Sequence, residues 1–156
     1  MKIIKLTRNQ ETFVDDEDFE SLNQLSWAAL WKNKYKGTYY AVHFDYGRIY
    51  YMGRLILDLP FDSDLQVNYI DYNTLNNQRT NIRICTSLQN QMWGKPPITN
   101  HSGYKGVSYI PEYDKWCAKI YKTEIGHFYS LKNAIEAYNE EALRMFGEFA
   151  YLNPVP

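Results

Sequence analysis

Residues 66–90 read QVNYIDYNTLNNQRTNIRICTSLQN, from Gln66 to Asn90. The apolar and β-prone opening predicts a short strand, Asn73 to Asn77 is a loop by composition, and Ile82 to Cys85 predicts a return strand. Thr86 or Ser87 then caps a helix that carries Asn90 and ends near Trp93. Asn81, in the turn Thr80-Asn81-Ile82-Arg83, reads as a residue whose side-chain amide ties the loop to the backbone. The three histidines of the chain, His43, His101 and His127, all lie outside this stretch.

This stretch resembles the core of the HNH nucleases, specifically the small homing endonucleases carried by phages and mobile introns. The resemblance implies a strand, an Asn-rich loop, a return strand and a helix wrapped around one divalent metal. Where the family reads Val-Asp-His-Ile-Asp, this chain has Val67, Asn68, Tyr69, Ile70 and Asp71. In the family the Asp is a metal ligand and the His is the general base. Asn81 corresponds to the second motif residue and Asn90 to the third, also a metal ligand. LTRNQETFVDDEDF (6–19), followed by a Trp and a strand pair, resembles the entry of phage HNH endonucleases. Those proteins commonly carry Met-His-Arg where this chain has Met52-Gly53-Arg54, and often His where it has Tyr72.

Phosphodiester hydrolysis needs charge neutralised at the phosphate and a base to activate water. A hard cation prefers anionic oxygens, whereas Asn68 and Asn90 offer neutral carbonyls. A tyrosine with an ordinary pKa near ~10 is a poor base at neutral pH, and Tyr69 stands where the His would be. Strand alternation points Asp71 the same way as Tyr69 rather than Asn68. The expectation is therefore a nuclease fold without nuclease chemistry. Gly53, Asn68, Tyr69 and Tyr72 are the replaced positions and Asn81 and Asn90 the retained ones, with no catalytic residue, metal or cofactor and no enzymatic activity.

A second resemblance covers about residues 103–153. Tyr104-Lys105-Gly106-Val107, Lys115-Trp116-Cys117-Ala118, Ile125-Gly126-His127-Phe128 and AIEAYNEEA (134–142) look like the apetala-2 or ethylene-response-factor DNA-binding domain, closing on Gly147-Glu148-Phe149-Ala150 and Leu152-Asn153. That family packs a three-stranded antiparallel sheet on one helix and lays the sheet in the major groove. Periodicity gives the same layout on its own account. Trp116, Ala118 and Ile120 alternate to one strand face; Lys115, Cys117, Lys119 and Tyr121 take the other. Leu131, Ile135, Tyr138, Ala142 and Met145 make a helical stripe, with Ser130 as N-cap and Gly147 as stop. The stripe covers the Trp116 face and leaves the Lys119 face exposed. Positions that are usually Arg or Trp in the family align with Lys105, Ser108, Ile110, Lys119, Tyr121, Lys122 and Glu124. Lys is a point charge, and Ser, Ile and Glu do not replace a guanidinium fork, so phosphate-weighted binding with altered base readout follows.

The fold class expected is α+β: a degenerate ββα-metal-like module at 1–93, a Pro- and Gly-containing linker at 94–103, and the apetala-like module at 104–156. Ahead of the central stretch, Lys2–Leu6 and Thr12–Val14 read as strands. A helix runs from an Asp15 or Asp16 cap through Gln24, Trp27–Lys32 and Thr38–Tyr51 are strands with turns at Lys34–Gly37 and Asp45–Gly47, and Met52–Leu59 is a short helix stopped by Pro60.

The 156 residues carry 17 basic and 18 acidic side chains, a net charge of −1, where a duplex binder normally shows a basic surplus. The charge is uneven. Residues 31–95 hold eight basic and five acidic groups, while both flanks are acidic on balance, so the DNA-binding candidates are Arg79, Arg83, Lys95, Lys105, Ser108, Lys119, Tyr121 and Lys122. Cys85 and Cys117 lack any CxxC or Cys/His spacing for zinc and read as free buried thiols. The absence of a signal peptide or a long apolar run implies a protein of the bacterial host cytoplasm with no membrane partner. Three functions follow: duplex DNA binding without cleavage by a protein of phage or mobile-element origin, protein binding that inhibits a host defence nuclease, or metal-dependent cleavage after all, with the metal held by an unforeseen set such as Asp71 and Asn90. Fifteen tyrosines suit the second.

Overall fold

A computed structural model describes residues 1–32 and 37–156; the turn expected at Lys34–Gly37 lies, for 34–36, outside the described residues. The chain divides into two compact units, residues 1–87 and 88–156. The division falls ahead of the expected boundary at Trp93, because Leu88 and Met92 pack into the core of the second unit. Within the described residues the architecture is mixed, with four small antiparallel sheets and four α-helices. None of these helices is long and apolar enough to cross a membrane.

In the first unit β1 (Lys2–Lys5) and β2 (Glu11–Val14) form a hairpin whose turn holds Arg8 and Asn9 at positive φ. Helix α1 (Asp16–Leu22) carries Asp16, Glu17 and Asp18 in its first turn, where the positive end of the helix dipole favours anions. Asp15 holds the N-cap position, though its side chain makes no cap bond. Its carboxylate instead accepts from Gln78 Nε2 at 3.0 Å and Arg79 N at 2.7 Å, and these bonds hold its pKa below the usual carboxylate value. Strands β3 (Ala28–Lys32), β4 (Thr38–Asp45) and β5 (Arg48–Tyr51) make a meander with β4 central.

Helix α2 (Met52–Ile56) is shorter than expected: Asp58 turns left-handed at φ 50 and ends the run before Pro60. Strand β6 (Gln66–Tyr69) pairs antiparallel with β7 (Ile82–Cys85), setting Asn68 opposite Arg83. Val14, Leu22, Trp27, Met52, Ile56, Tyr69 and Ile82 close one core around these elements.

The second unit takes in all of α3 (Ser87–Trp93) but its first residue and continues into β8 (Val107–Ile110), β9 (Lys115–Ile120) and β10 (Thr123–Phe128), a sheet with β9 central. Helix α4 (Leu131–Phe146) covers one face of it. Ser130 Oγ caps α4 by accepting from Asn133 N, and Gly147 ends it at φ 51. The buried positions of α4 are Ala134, Ile135, Tyr138 and Ala142; Met145, expected in that stripe, is exposed. Gly106 permits a close approach of backbone and ring within the second unit. At φ +68 a Cβ there would sit 2.2 Å from the Lys119 carbonyl oxygen and 2.3 Å from the Tyr138 ring.

Candidate functional site

Tyr69, one of the positions singled out around β6, anchors a packed polar cluster in the first unit. Tyr69 is the last residue of its strand and points into the core. Its hydroxyl donates to Asn77 Oδ1 at 3.1 Å, Asn77 Nδ2 donates to Thr12 Oγ1 at 2.8 Å, and Thr12 Oγ1 donates to the Leu75 carbonyl at 2.7 Å. Asn77 and Thr12 are fully buried, so each link satisfies a group that would otherwise be desolvated at a cost of about 1–3 kcal/mol. Burial, with Tyr40 nearby, pushes the Tyr69 phenol far above its ordinary pKa, and it cannot accept a proton from water at neutral pH.

Gly53, on α2, is the other side of the same packing. A Cβ at that position would lie 2.9 Å from Tyr69 Oη, 3.1 Å from Asn77 Oδ1 and 3.2 Å from Val67 Cγ1. The two positions are therefore coupled by packing: the phenol fills room that a side chain at 53 would need. That coupling is not visible in the sequence, where 53 and 69 stand 16 residues apart.

Asn68 is 2 % exposed, and its side-chain oxygen accepts from Arg83 Nε at 2.9 Å. A guanidinium at that distance opposes a second cation on the same oxygen. Position 68 thus does not fit a divalent metal, by donor charge or by occupancy. Asn90 lies on α3, in the second unit, whereas Asn68 and Asn81 lie in the first.

The loop between β6 and β7 carries Asp71, the only carboxylate in residues 66–90. The strand ends at Tyr69, so alternation does not extend to Asp71. Asp71 is exposed while Tyr69 is buried, which corrects the expectation that they share a direction. Its two oxygens accept from Asn73 N at 2.7 Å and Asn76 Nδ2 at 2.8 Å. Asn81 clamps this loop, accepting from Asp71 N at 2.9 Å and donating to the Asn76 carbonyl at 2.8 Å. Tyr72 is exposed at φ 66, outside the buried cluster.

The DNA-binding candidates divide by environment. Arg79 is committed to acids: its guanidinium bonds both oxygens of Asp18, at 2.9 and 2.7 Å, and approaches Glu17 at 3.0 Å. Arg83 is committed to Asn68. Lys105 does not face the solvent as expected. Its ammonium donates to the carbonyls of Gln91, Met92 and Gly94, at the end of α3, and burial lowers its pKa to about 8. Those carbonyls have no partner within the helix itself, which is why a cation settles there.

Lys95, Ser108, Lys119, Tyr121 and Lys122 are exposed. Ser108 and Lys119 stand on the sheet face away from α4, and Tyr121-Lys122 form the β9–β10 turn, with Lys122 Nζ 5.2 Å from the Tyr121 ring centroid. Lys119 Nζ lies 3.3 Å from Glu124.

Strand pairing also gathers residues that the sequence reading left apart. Cys117 stands opposite Ser108 on one side and His127 on the other. A bulge between Glu124 and Gly126 turns Glu124 to the same face. No linear spacing signals this group; only the register of three strands does.

No family model matches the chain, and no solved structure matches it. A protein of Acanthamoeba polyphaga mimivirus named as an uncharacterized HNH endonuclease is 34% identical over 161 residues, covering 96% of this chain and 79% of that protein. The name is that of an enzyme class, and it overturns the expectation that the chain is not an enzyme. The expectation rested on four positions, 53, 68, 69 and 72, whereas this similarity spans nearly the whole chain.

Proposed function

The chain belongs to the HNH endonuclease family, and from that premise we propose that it acts on duplex DNA, held by the second unit as an apetala-2-like module. One observation carries the reading: α4 covers one face of the β8–β9–β10 sheet, while the other face and its turn present Ser108, Lys119, Tyr121 and Lys122 to solvent. The Lys119–Glu124 pair is exposed on both sides, at 59% and 47%. An exposed pair of this kind contributes about 0–1 kcal/mol, so a phosphate competes for Lys119 at little cost. The rest of the binding charge is modest, consistent with backbone contacts rather than a dense base-reading surface.

A gel-shift titration over a salt series tests this. Affinity falls as salt rises, and Lys119→Ala and Lys122→Ala each lower it while reducing the salt slope by about one. The absence of any shift at low salt, or a slope unchanged in both variants, refutes it. A complex with a host protein that survives nuclease digestion would replace DNA with a protein partner. Supercoiled plasmid with magnesium or manganese, run beside the shifts, locates the chemistry. Nicking that is lost in Asp71→Asn and retained in Tyr69→Phe assigns it to the one carboxylate of the 66–90 stretch; nicking indifferent to Asp71 assigns it elsewhere.

A further inference from the structure

We infer that Cys117, Glu124 and His127 form a binding site for a zinc-class divalent cation on the sheet face opposite α4. One ligand atom from each (Sγ, a carboxylate oxygen, a ring nitrogen) lies within 4.8 Å of the other two. His127 Nδ1 is already 3.4 Å from Glu124 Oε1. Tetrahedral zinc takes sulfur at about 2.3 Å and nitrogen or oxygen at about 2.0–2.2 Å, which sets ligands roughly 3.3–3.7 Å apart. The three groups need to close by about an ångström, within the range of side-chain rotation for Glu124 and His127, both exposed.

The backbone builds this convergence. Cys117 and His127 are direct cross-strand partners on adjacent strands, so their side chains share a face. Glu124 stands three residues before His127, and in a regular strand that odd spacing would put it on the opposite face. The extra residue at the bulge, Ile125, shifts the count by one and brings Glu124 back to the Cys117 side. Thiolate, imidazole and carboxylate together suit a borderline-soft ion and are a poor set for magnesium or calcium.

Three protein ligands leave a fourth position to solvent. Binding replaces the thiol proton with a sulfur–metal bond and releases that proton, so the site gains one net positive charge. The carboxylate leaves Lys119 for the metal, and the added charge stands beside that lysine.

Cobalt(II) titrated into the reduced, chelator-treated full chain tests the assignment. The expected result is a one-to-one complex with a thiolate-to-cobalt charge-transfer band and tetrahedral d–d bands, both bleached by added zinc. Cys117→Ser abolishes the charge-transfer band, Cys85→Ser leaves it intact, and His127→Gln and Glu124→Gln each weaken cobalt binding by about tenfold or more. Because Cys117 is buried and its replacement can unsettle the sheet, the exposed His127 and Glu124 variants, checked by circular dichroism, decide the matter independently. A wild-type chain without the charge-transfer band, or a band unchanged in folded His127→Gln and Glu124→Gln, overturns the site. Neither readout depends on DNA binding.

Discussion

Replacing Gly53 with alanine probes whether the substitutions at 53 and 69 are one packing event. Alanine gains about 1 kcal/mol over glycine in a helix interior, so an open site would be stabilised. Here the new Cβ meets Tyr69 Oη at 2.9 Å, Asn77 Oδ1 at 3.1 Å and Val67 Cγ1 at 3.2 Å, all tighter than ordinary contact. Overpacking of that kind costs about 1–3 kcal/mol. The phenol cannot yield freely, since its hydroxyl is bonded to Asn77 inside a buried chain of bonds. The net expectation runs from about zero to a loss of about 2 kcal/mol. Tyr69→Phe removes the nearest clashing atom and leaves Asn77 Oδ1 without that donor, costing about 1–3 kcal/mol alone. In the double variant part of the Gly53→Ala penalty disappears, so the two changes couple favourably by about 1 kcal/mol. Urea denaturation followed by tryptophan fluorescence and circular dichroism measures all four corners of the cycle. Additivity within about 0.5 kcal/mol, or a Gly53→Ala variant more stable than the parent, refutes the reasoning.

Gly106→Ala forces a Cβ against the Lys119 carbonyl and the Tyr138 ring at a left-handed φ, and should cost the second unit about 3 kcal/mol in a thermal melt. Lys105 is lowered by burial to about 8, below the ~10.4 of an unfolded lysine, so the unfolded chain binds more protons between those values. Stability should therefore rise as pH passes from about 8 toward about 10.4, a rise that disappears in Lys105→Met. Asn81→Ala removes the clamp from both Asp71 N and the Asn76 carbonyl; hydrogen exchange in residues 70–78 should accelerate, with a stability loss of about 2 kcal/mol by denaturation. Asp15 is held low mainly by its bonds to Gln78 and Arg79 N, so its contribution is present above the unfolded carboxylate pKa near ~3.9 and lost as pH falls through its lower folded value; Asp15→Asn should flatten that acid limb in a pH-dependent melt.

Much of the chain's local structure can be read directly from residue order. Alternation around Trp116, Ala118 and Ile120, and the Ser130–Gly147 bracket around an apolar stripe, produce the β9 strand and α4 helix because burial enforces periods of 2 and 3.6. The substitutions at 68 and 69 are equally legible, as residue types. The step from them to a protein that is not an enzyme failed, since the family follows from similarity along the whole chain.

Where a charge ends up is a different kind of question. Arg79, Arg83 and Lys105 read in sequence as surplus cations, yet Asp18, Asn68 and the end of α3 consume them, and those partners lie up to 61 residues away. By itself the sequence determined which segments would be strands and helices and which chemical groups were on hand, since both depend on near neighbours. Tertiary structure alone decided that Gly53 yields its space to Tyr69, that Lys105 faces inward, and that a bulge gathers a thiol, an imidazole and a carboxylate. Register and packing join residues distant in the chain, and a single-residue slip would scatter them to opposite faces.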